Sequence, residues 1–296
     1  MIFTRLWKNL TILKVAKNLL AATGVLWTII KVFSYFGGDE LIKFIKPLWW
    51  VFLLIGIIYT VCSCWPKNEY TFQIPNRDSK VILMLKNVFE IQGSLIIPIN
   101  NKMQVNPGGI LDTTNSILSQ LVKNFYDEKH FNLQNEINIE LKKDIYKENN
   151  IKEDIYKIGT VVPVRAKGNQ FYILANTNLN PHNRSVMEKG DLEQSLNELW
   201  TFLANHAGKE KFIIPIIGSG RGRITLKREE IIKEIVLSFL ASNSSRTYAE
   251  KLIISVYPQD ISEHKMNIEE LVKWIEAKVK YADFQKRNLT TGTNVM

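Results

Sequence analysis

The sequence predicts a three-layer α/β domain preceded by two apolar N-terminal helices, and three observations carry that expectation. Residues 1–65 are dominated by Leu, Ile, Val, Phe and Trp, whereas the remainder has the Lys-, Glu- and Asn-rich mixture of a water-exposed domain. From residue 70 onward, short apolar strand patterns alternate with amphipathic helical ones, the order that places helices on both faces of a sheet. Two of the strand patterns run into glycine-containing loops followed by a helix start.

The N-terminal part has two apolar runs, Leu19 to Phe36, interrupted only by Lys31, and Leu48 to Trp65, which carries no charge. At ~1.5 Å per helical residue each run covers about 27 Å, close to a bilayer core. With the short turn between them, the segment 19–65 reads as a transmembrane hairpin with spans 19–36 and 48–65. Buried helices of a water-soluble fold are the competing reading. Trp27, Trp49, Trp50 and Trp65 fit interfacial anchors. Residues 1–18 hold Arg5, Lys8, Lys14 and Lys17 with no acid, while the loop 37–47 balances Asp39 and Glu40 against Lys43 and Lys46. The positive-inside rule then places both termini in the cytoplasm and makes the lipid bilayer a partner. Phe3, Leu6, Trp7, Leu10 and Leu13 recur at helical spacing, so residues 1–18 read as a basic amphipathic segment or as an extension of the first span.

The formal net charge is +9, but beyond the N-terminus the charges are mixed and no basic run resembles a nucleic-acid arm, so no nucleic-acid partner is expected. The two cysteines, Cys62 and Cys64, supply neither a disulfide scaffold nor a four-cysteine zinc site. They read as small residues of an apolar helix, with lipidation or redox chemistry as the sharper alternative.

Within the domain 66–283, strands are expected at 81–85, 93–99, 160–165, 170–175, 211–217 and 252–257. Helices are expected at 112–125, 191–206, 225–240 and 267–281, with Thr225 as an N-cap. The acid- and lysine-rich stretch 127–157 reads as a solvated insertion or a partner-binding segment, and 284–296 as a flexible tail.

The strongest chemical signal is Gly218-Ser219-Gly220-Arg221-Gly222-Arg223, between a buried strand and a helix. Closely spaced glycines let backbone amides face an anion, the helix contributes its positive dipole end, and two arginines add charge-assisted donors. It is neither a dinucleotide fingerprint nor a P-loop, and a plain glycine-rich turn competes with the phosphate-loop reading. A second loop supports the latter. The strand 93–99 ends in Asn100-Asn101 and is followed by Gly108-Gly109-Ile110 before a helix. Two such loops on one sheet would clamp a diphosphate.

These loops, with Asn87-Val88-Phe89-Glu90, Ile97-Pro98-Ile99-Asn100, Gly159-Thr160-Val161-Val162-Pro163 and Leu196-Asn197-Glu198-Leu199-Trp200, resemble the macro domain of membrane-anchored Thoeris anti-phage effectors over about residues 80 to 260. The resemblance implies a macro-like α/β/α fold in a protein of the bacterial inner membrane. It implies an ADP-ribose-type nucleotide ligand, derived from NAD by a TIR-domain partner, and no other cofactor. It also implies a ligand-induced homo-oligomer that disrupts the membrane. Carried over by position, Asn100, Asn101, Gly108, Gly109 and Ile110 form the first ligand loop. Gly218, Ser219, Gly220, Arg221, Gly222 and Arg223 form the diphosphate loop, and Phe89 and Glu90 fall at the adenosine end. The hydrolytic members' Asn-Ala-Ala-Asn is replaced by Asn100-Asn101-Lys102-Met103, which favours a sensor over an enzyme. A membrane-tethered ADP-ribosyl hydrolase and an ADP-ribose-binding scaffold remain the alternatives.

The four histidines, His130, His182, His206 and His264, show no metal-ligand spacing, and no nucleophile–base order stands out, so neither a metal site nor a catalytic residue is expected. His182 follows a strand and is a candidate for the ligand's border.

Overall fold

The strand Asn169–Leu179 shows how the sequence builds the layers. Alternate side chains of a strand point to opposite faces. Phe171, Ile173 and Ala175 are buried in one apolar cluster, and Tyr172 and Leu174 in another on the opposite face.

The computed structural model describes residues 49–63, 67–106, 116–152, 154–180, 182, 184–220 and 222–291, together with part of 17–36. The chain divides into two units, Met1–Asn68 and Glu69–Met296. In the first, helix α1 spans Trp49–Ser63, and the described residues between 17 and 36 are also helical. Among the described residues no helix is long and apolar enough to cross a membrane. Helix α1 has 15 residues, about 22 Å at ~1.5 Å each, against a hydrocarbon core of ~30 Å. This overturns the expected two-pass placement in the inner membrane. An apolar run counts residues, whereas a span needs them all in one helix of sufficient length. The first expected span, the basic segment 1–18 and the intervening loop fall largely outside the described residues.

The second unit carries strands β1 (Glu69–Gln73), β2 (Lys80–Met84), β3 (Ser94–Asn100), β4 (Asn150–Lys152), β5 (Ile155–Tyr156), β6 (Val161–Ala166), β7 (Asn169–Leu179), β8 (Ser185–Val186), β9 (Glu210–Pro215) and β10 (Ala249–Ser255). The main sheet runs β1-β2-β10-β9-β3-β7-β6, with β8 paired to β7, while β4 and β5 form a separate ribbon. Neighbours from β2 to β7 are parallel, and the flanking pairs β1/β2 and β7/β6 are antiparallel. The parallel strands therefore bring their C-terminal ends to one edge.

Helices α2 (Ile117–Phe125) and α3 (His130–Leu141) cover one face. Helices α4 (Lys189–His206), α5 (Arg228–Ser245) and α7 (Ile268–Thr291) cover the other, and the short α6 (Pro258–Glu263) follows β10. Trp200 is 1% exposed, lies edge-on to Phe239 at 5.4 Å and donates from Nε1 to Ser238 Oγ at 2.9 Å. Ser238→Ala removes the acceptor of a buried indole and is expected to cost about 1–2 kcal/mol, read by chemical denaturation.

Three expectations change. The stretch 127–157 is no solvated appendage: Leu133 and Ile137 are fully buried, and Tyr146 donates to the Val161 carbonyl at 3.0 Å. Burial pushes the Tyr146 phenol above its usual range. Two apolar residues one helical turn apart suffice to dock α3, a pattern too sparse to stand out among so many charges. Helix α5 starts at Arg228 with Lys227, not Thr225, at the N-cap, because Glu230 Oε2 accepts from the Lys227 amide at 2.8 Å. The expected tail is helical as far as Thr291.

Candidate functional site

The C-terminal edge of the parallel strands opens into a cleft of about 490 Å³. Each strand contributes to it through the residues at or just past its end. Asn87 and Val88 follow β2, Asn100 ends β3, Asn176 and Thr177 lie late in β7, Gly218 to Gly220 follow β9, and Ser255 and Tyr257 mark the end of β10. The N-termini of α2 and α5 also border the cleft through Ser116, Ile117 and Arg228. Helix N-termini present unpaired amides and a partial positive charge, which suits an anion.

Asn100 builds the first wall. Its Oδ1 accepts from the amides of Lys102 at 3.0 Å and Gln104 at 3.3 Å, and its Nδ2 donates to the Gln104 carbonyl at 2.7 Å. The side chain thus folds its own loop, in which Met103 is buried at a φ of +54°. Asn101 turns away from the cleft. Its amide donates to the Thr177 carbonyl, Nδ2 to Asn178 Oδ1, and Oδ1 accepts from the Leu179 amide, so it ties β3 to β7.

The second wall is the glycine loop. Gly218 has a φ of +75°, a conformation that disfavours any residue with a Cβ, and a Cβ there would overlap Met187 Sδ. A Cβ on Gly222 would stand 3.0 Å from both the Cα and the carbonyl oxygen of Gly218 and 3.1 Å from Thr177 Cγ2. A Cβ on Gly220 would meet nothing within 4 Å. Gly218 and Gly222 therefore close the loop on itself and on β7, whereas Gly220 presents open backbone. Ser219 Oγ donates to the Ile216 carbonyl at 2.8 Å and holds the turn after β9.

Of the residues singled out from sequence, Asn100, Gly218, Ser219, Gly220 and Gly222 line this one cleft. Gly108, Gly109, Ile110 and Arg221 lie outside the described residues. Phe89 and Glu90 are not in the lining: Phe89 packs toward Phe125 at 6.1 Å, and Glu90 pairs with Lys86 on the surface. Their neighbour Asn87, which caps the Val88–Glu90 turn by accepting from the Phe89 amide, lines the cleft instead. Arg223 and His182 are also not among the lining residues.

Among the lining residues that the sequence pattern does not mark are Asn176, Arg228 and Asp260. Asn176 is 1% exposed, and its Nδ2 donates to the Met187 sulfur at 3.9 Å. It sits where the β3–β7 register slips, Ile99 pairing with Ala175 and Asn100 with Thr177, and such a bulge re-aims a side chain. Arg228 and Asp260 form an ion pair at 3.3 Å in the wall. Asp260 also brings its carboxylate within 4.8 Å of potential ligand atoms on Glu263 and His264, which are both exposed.

No curated protein matches the chain in sequence. A macrodomain of Oceanobacillus iheyensis, solved with MES bound, aligns at a TM-score of 0.48 with 12% identity, covering 71% of this chain and 98% of that one. The Oceanobacillus iheyensis macrodomain with ADP aligns at 0.44 with 10% identity, over 69% of this chain and 97% of that one. A Trypanosoma brucei macrodomain in complex with ADP-ribose aligns at 0.41 with 8% identity, over 62% and 66%. The sequence model for the macro domain of Thoeris protein ThsA matches residues 81–257, from the second residue of β2 to the residue before α6, and so takes in every strand end that borders the cleft. With that match over more than half of its length, the chain belongs to the Thoeris ThsA macro-domain family.

Proposed function

We propose that the cleft senses an ADP-ribose-type nucleotide derived from NAD, supplied by a TIR-domain partner, and that the protein is an effector of anti-phage defence. One observation carries this reading: the Asn100 turn, the Gly218–Gly222 loop and two helix N-termini converge on a single cleft at the C-terminal ends of parallel strands. Exposed loop amides and helix dipoles suit a pyrophosphate, and Asn87 and Asn176 offer side-chain amides for ribose or base. The cleft volume of about 490 Å³ falls within the usual ~300–1,000 Å³ of small-molecule sites. Membership of the Thoeris family supplies the defence context.

Binding without turnover is the favoured reading, because both polar atoms of Asn100 are committed to the 100–104 loop. Assembly into a homo-oligomer is the proposed output, and it follows only if the nucleotide binds the assembled form more tightly. Calorimetry with ADP-ribose is expected to show saturable one-site binding. Sedimentation is expected to show a larger species when the nucleotide is present. Absence of heat at millimolar ADP-ribose would sink the ligand assignment, and binding with unchanged sedimentation would sink the assembly step. Release of free ADP-ribose from an ADP-ribosylated substrate, seen by mass spectrometry, would favour a hydrolase.

A further inference from the structure

Arg228 is the first residue of α5, and its side chain is 16% exposed beside the cleft. A guanidinium carries five N–H donors and matches a carboxylate best through two parallel bonds. Here its contact with Asp260 is a single 3.3 Å interaction from Nη2 to Oδ1, and Nε is buried with no partner. The groups that hold the two residues are themselves fixed. Glu230 accepts from the Lys227 amide, Glu229 Oε1 accepts from the Asn267 amide at 3.2 Å, and the Asp260 amide donates to the Tyr257 carbonyl at 3.0 Å. A cation with unused donors thus stands in the cleft wall, held by one carboxylate oxygen across the gap between α5 and α6.

We propose that Arg228 is a phosphate-binding residue for the ligand of this cleft and that Asp260 is a built-in competitor that occupies the guanidinium while the cleft is empty. The proposal rests on the reading that the ligand is an ADP-ribose-type nucleotide. On binding, a phosphate oxygen takes up the free donors of Arg228 and the pairing with Asp260 weakens. The carboxylate also repels the incoming phosphates, so the two residues act on affinity with opposite signs. An ion pair that merely braces α5 against α6 behaves otherwise, since loss of either partner then loosens the wall in the same way.

The test is calorimetry on the full chain with ADP-ribose, and with adenosine as a probe lacking phosphate, in buffer containing EDTA so that no cation sits on Asp260, Glu263 and His264. R228Q is expected to weaken ADP-ribose binding by about 10- to 100-fold, the loss of a charge-assisted bond, while adenosine affinity stays level. D260N is expected to tighten ADP-ribose binding several-fold, and R228K to retain part of the affinity. R228Q and D260N shifting ADP-ribose affinity in the same direction, or neither shifting it, while the wild type binds, overturns the role of the pair alone. A wild-type chain that does not bind ADP-ribose overturns the ligand reading and this role with it. Should R228Q unfold, D260N and R228K, which keep the cation, still read the competition.

Discussion

Asn100→Ala is expected to abolish measurable ADP-ribose binding, at least a ~100-fold loss, at a stability cost of about 2–3 kcal/mol for the backbone groups left without partners. The amides of Lys102 and Gln104 and the Gln104 carbonyl all depend on this one side chain. Gln104 and Val105 themselves line the cleft, so relaxing the turn moves the wall. Asn100→Asp separates shape from charge. It keeps the two accepted bonds but replaces the donated one with a carboxylate oxygen facing the Gln104 carbonyl, so it is expected to cost about 1–3 kcal/mol of stability. It nonetheless sets a carboxylate where phosphates approach, and ADP-ribose affinity is expected to fall as far as in Asn100→Ala. Calorimetry paired with denaturant unfolding checks both variants. Unchanged affinity in Asn100→Asp would show that the phosphates lie elsewhere.

The glycine loop gives the second large effect. Gly218→Ala forces a Cβ into a left-handed backbone and onto Met187, and Gly222→Ala drives a methyl against the Gly218 backbone. The left-handed strain at Gly218, and at Gly222 a backbone neighbour that cannot swing aside as a side chain can, are each expected to cost about 2–3 kcal/mol and to weaken ADP-ribose at least ~10-fold as the loop splays. Gly220→Ala meets nothing within 4 Å and is expected to leave stability within about 0.5 kcal/mol, the range of a surface change. Thermal unfolding of the three alanine variants side by side tests the ordering. Equal destabilisation by all three would remove the distinction between loop-closing glycines and the one that exposes backbone.

The Val88–Glu90 turn shows where local pattern stops deciding which side chain lines the cleft. Phe89 and Glu90 were the expected contacts, and Asn87 and Val88, in the same turn, line the cleft. Strand and helix identity was legible from residue 80 onward because periodicity is a local property. Which residue of a three-residue turn faces a cavity is not, since one step along the turn rotates a side chain away. Strand β1 and helix α6 were not expected at all. Glu69–Gln73 has few apolar residues and is stabilised by antiparallel pairing with β2, and Pro258–Glu263 is a single short helix with no buried residue.

By itself the sequence determined the α/β alternation, the glycine loop after β9 and the asparagine turn after β3. Each depends on neighbours within a few positions, whose spacing and backbone freedom act locally. Tertiary structure alone decided that these two turns share one edge, because β3 and β9 lie side by side in the sheet though more than 100 residues apart in the chain. It also decided the aim of Asn176, set by a register slip between two strands, and the pairing of Arg228 with Asp260, 32 positions apart. The extent of helix α1 was decided there as well, and among the described residues it leaves no helix long and apolar enough for the membrane span that composition had implied. Hydrophobicity accumulates residue by residue, whereas a site and a span both require distant or consecutive residues to hold one geometry together.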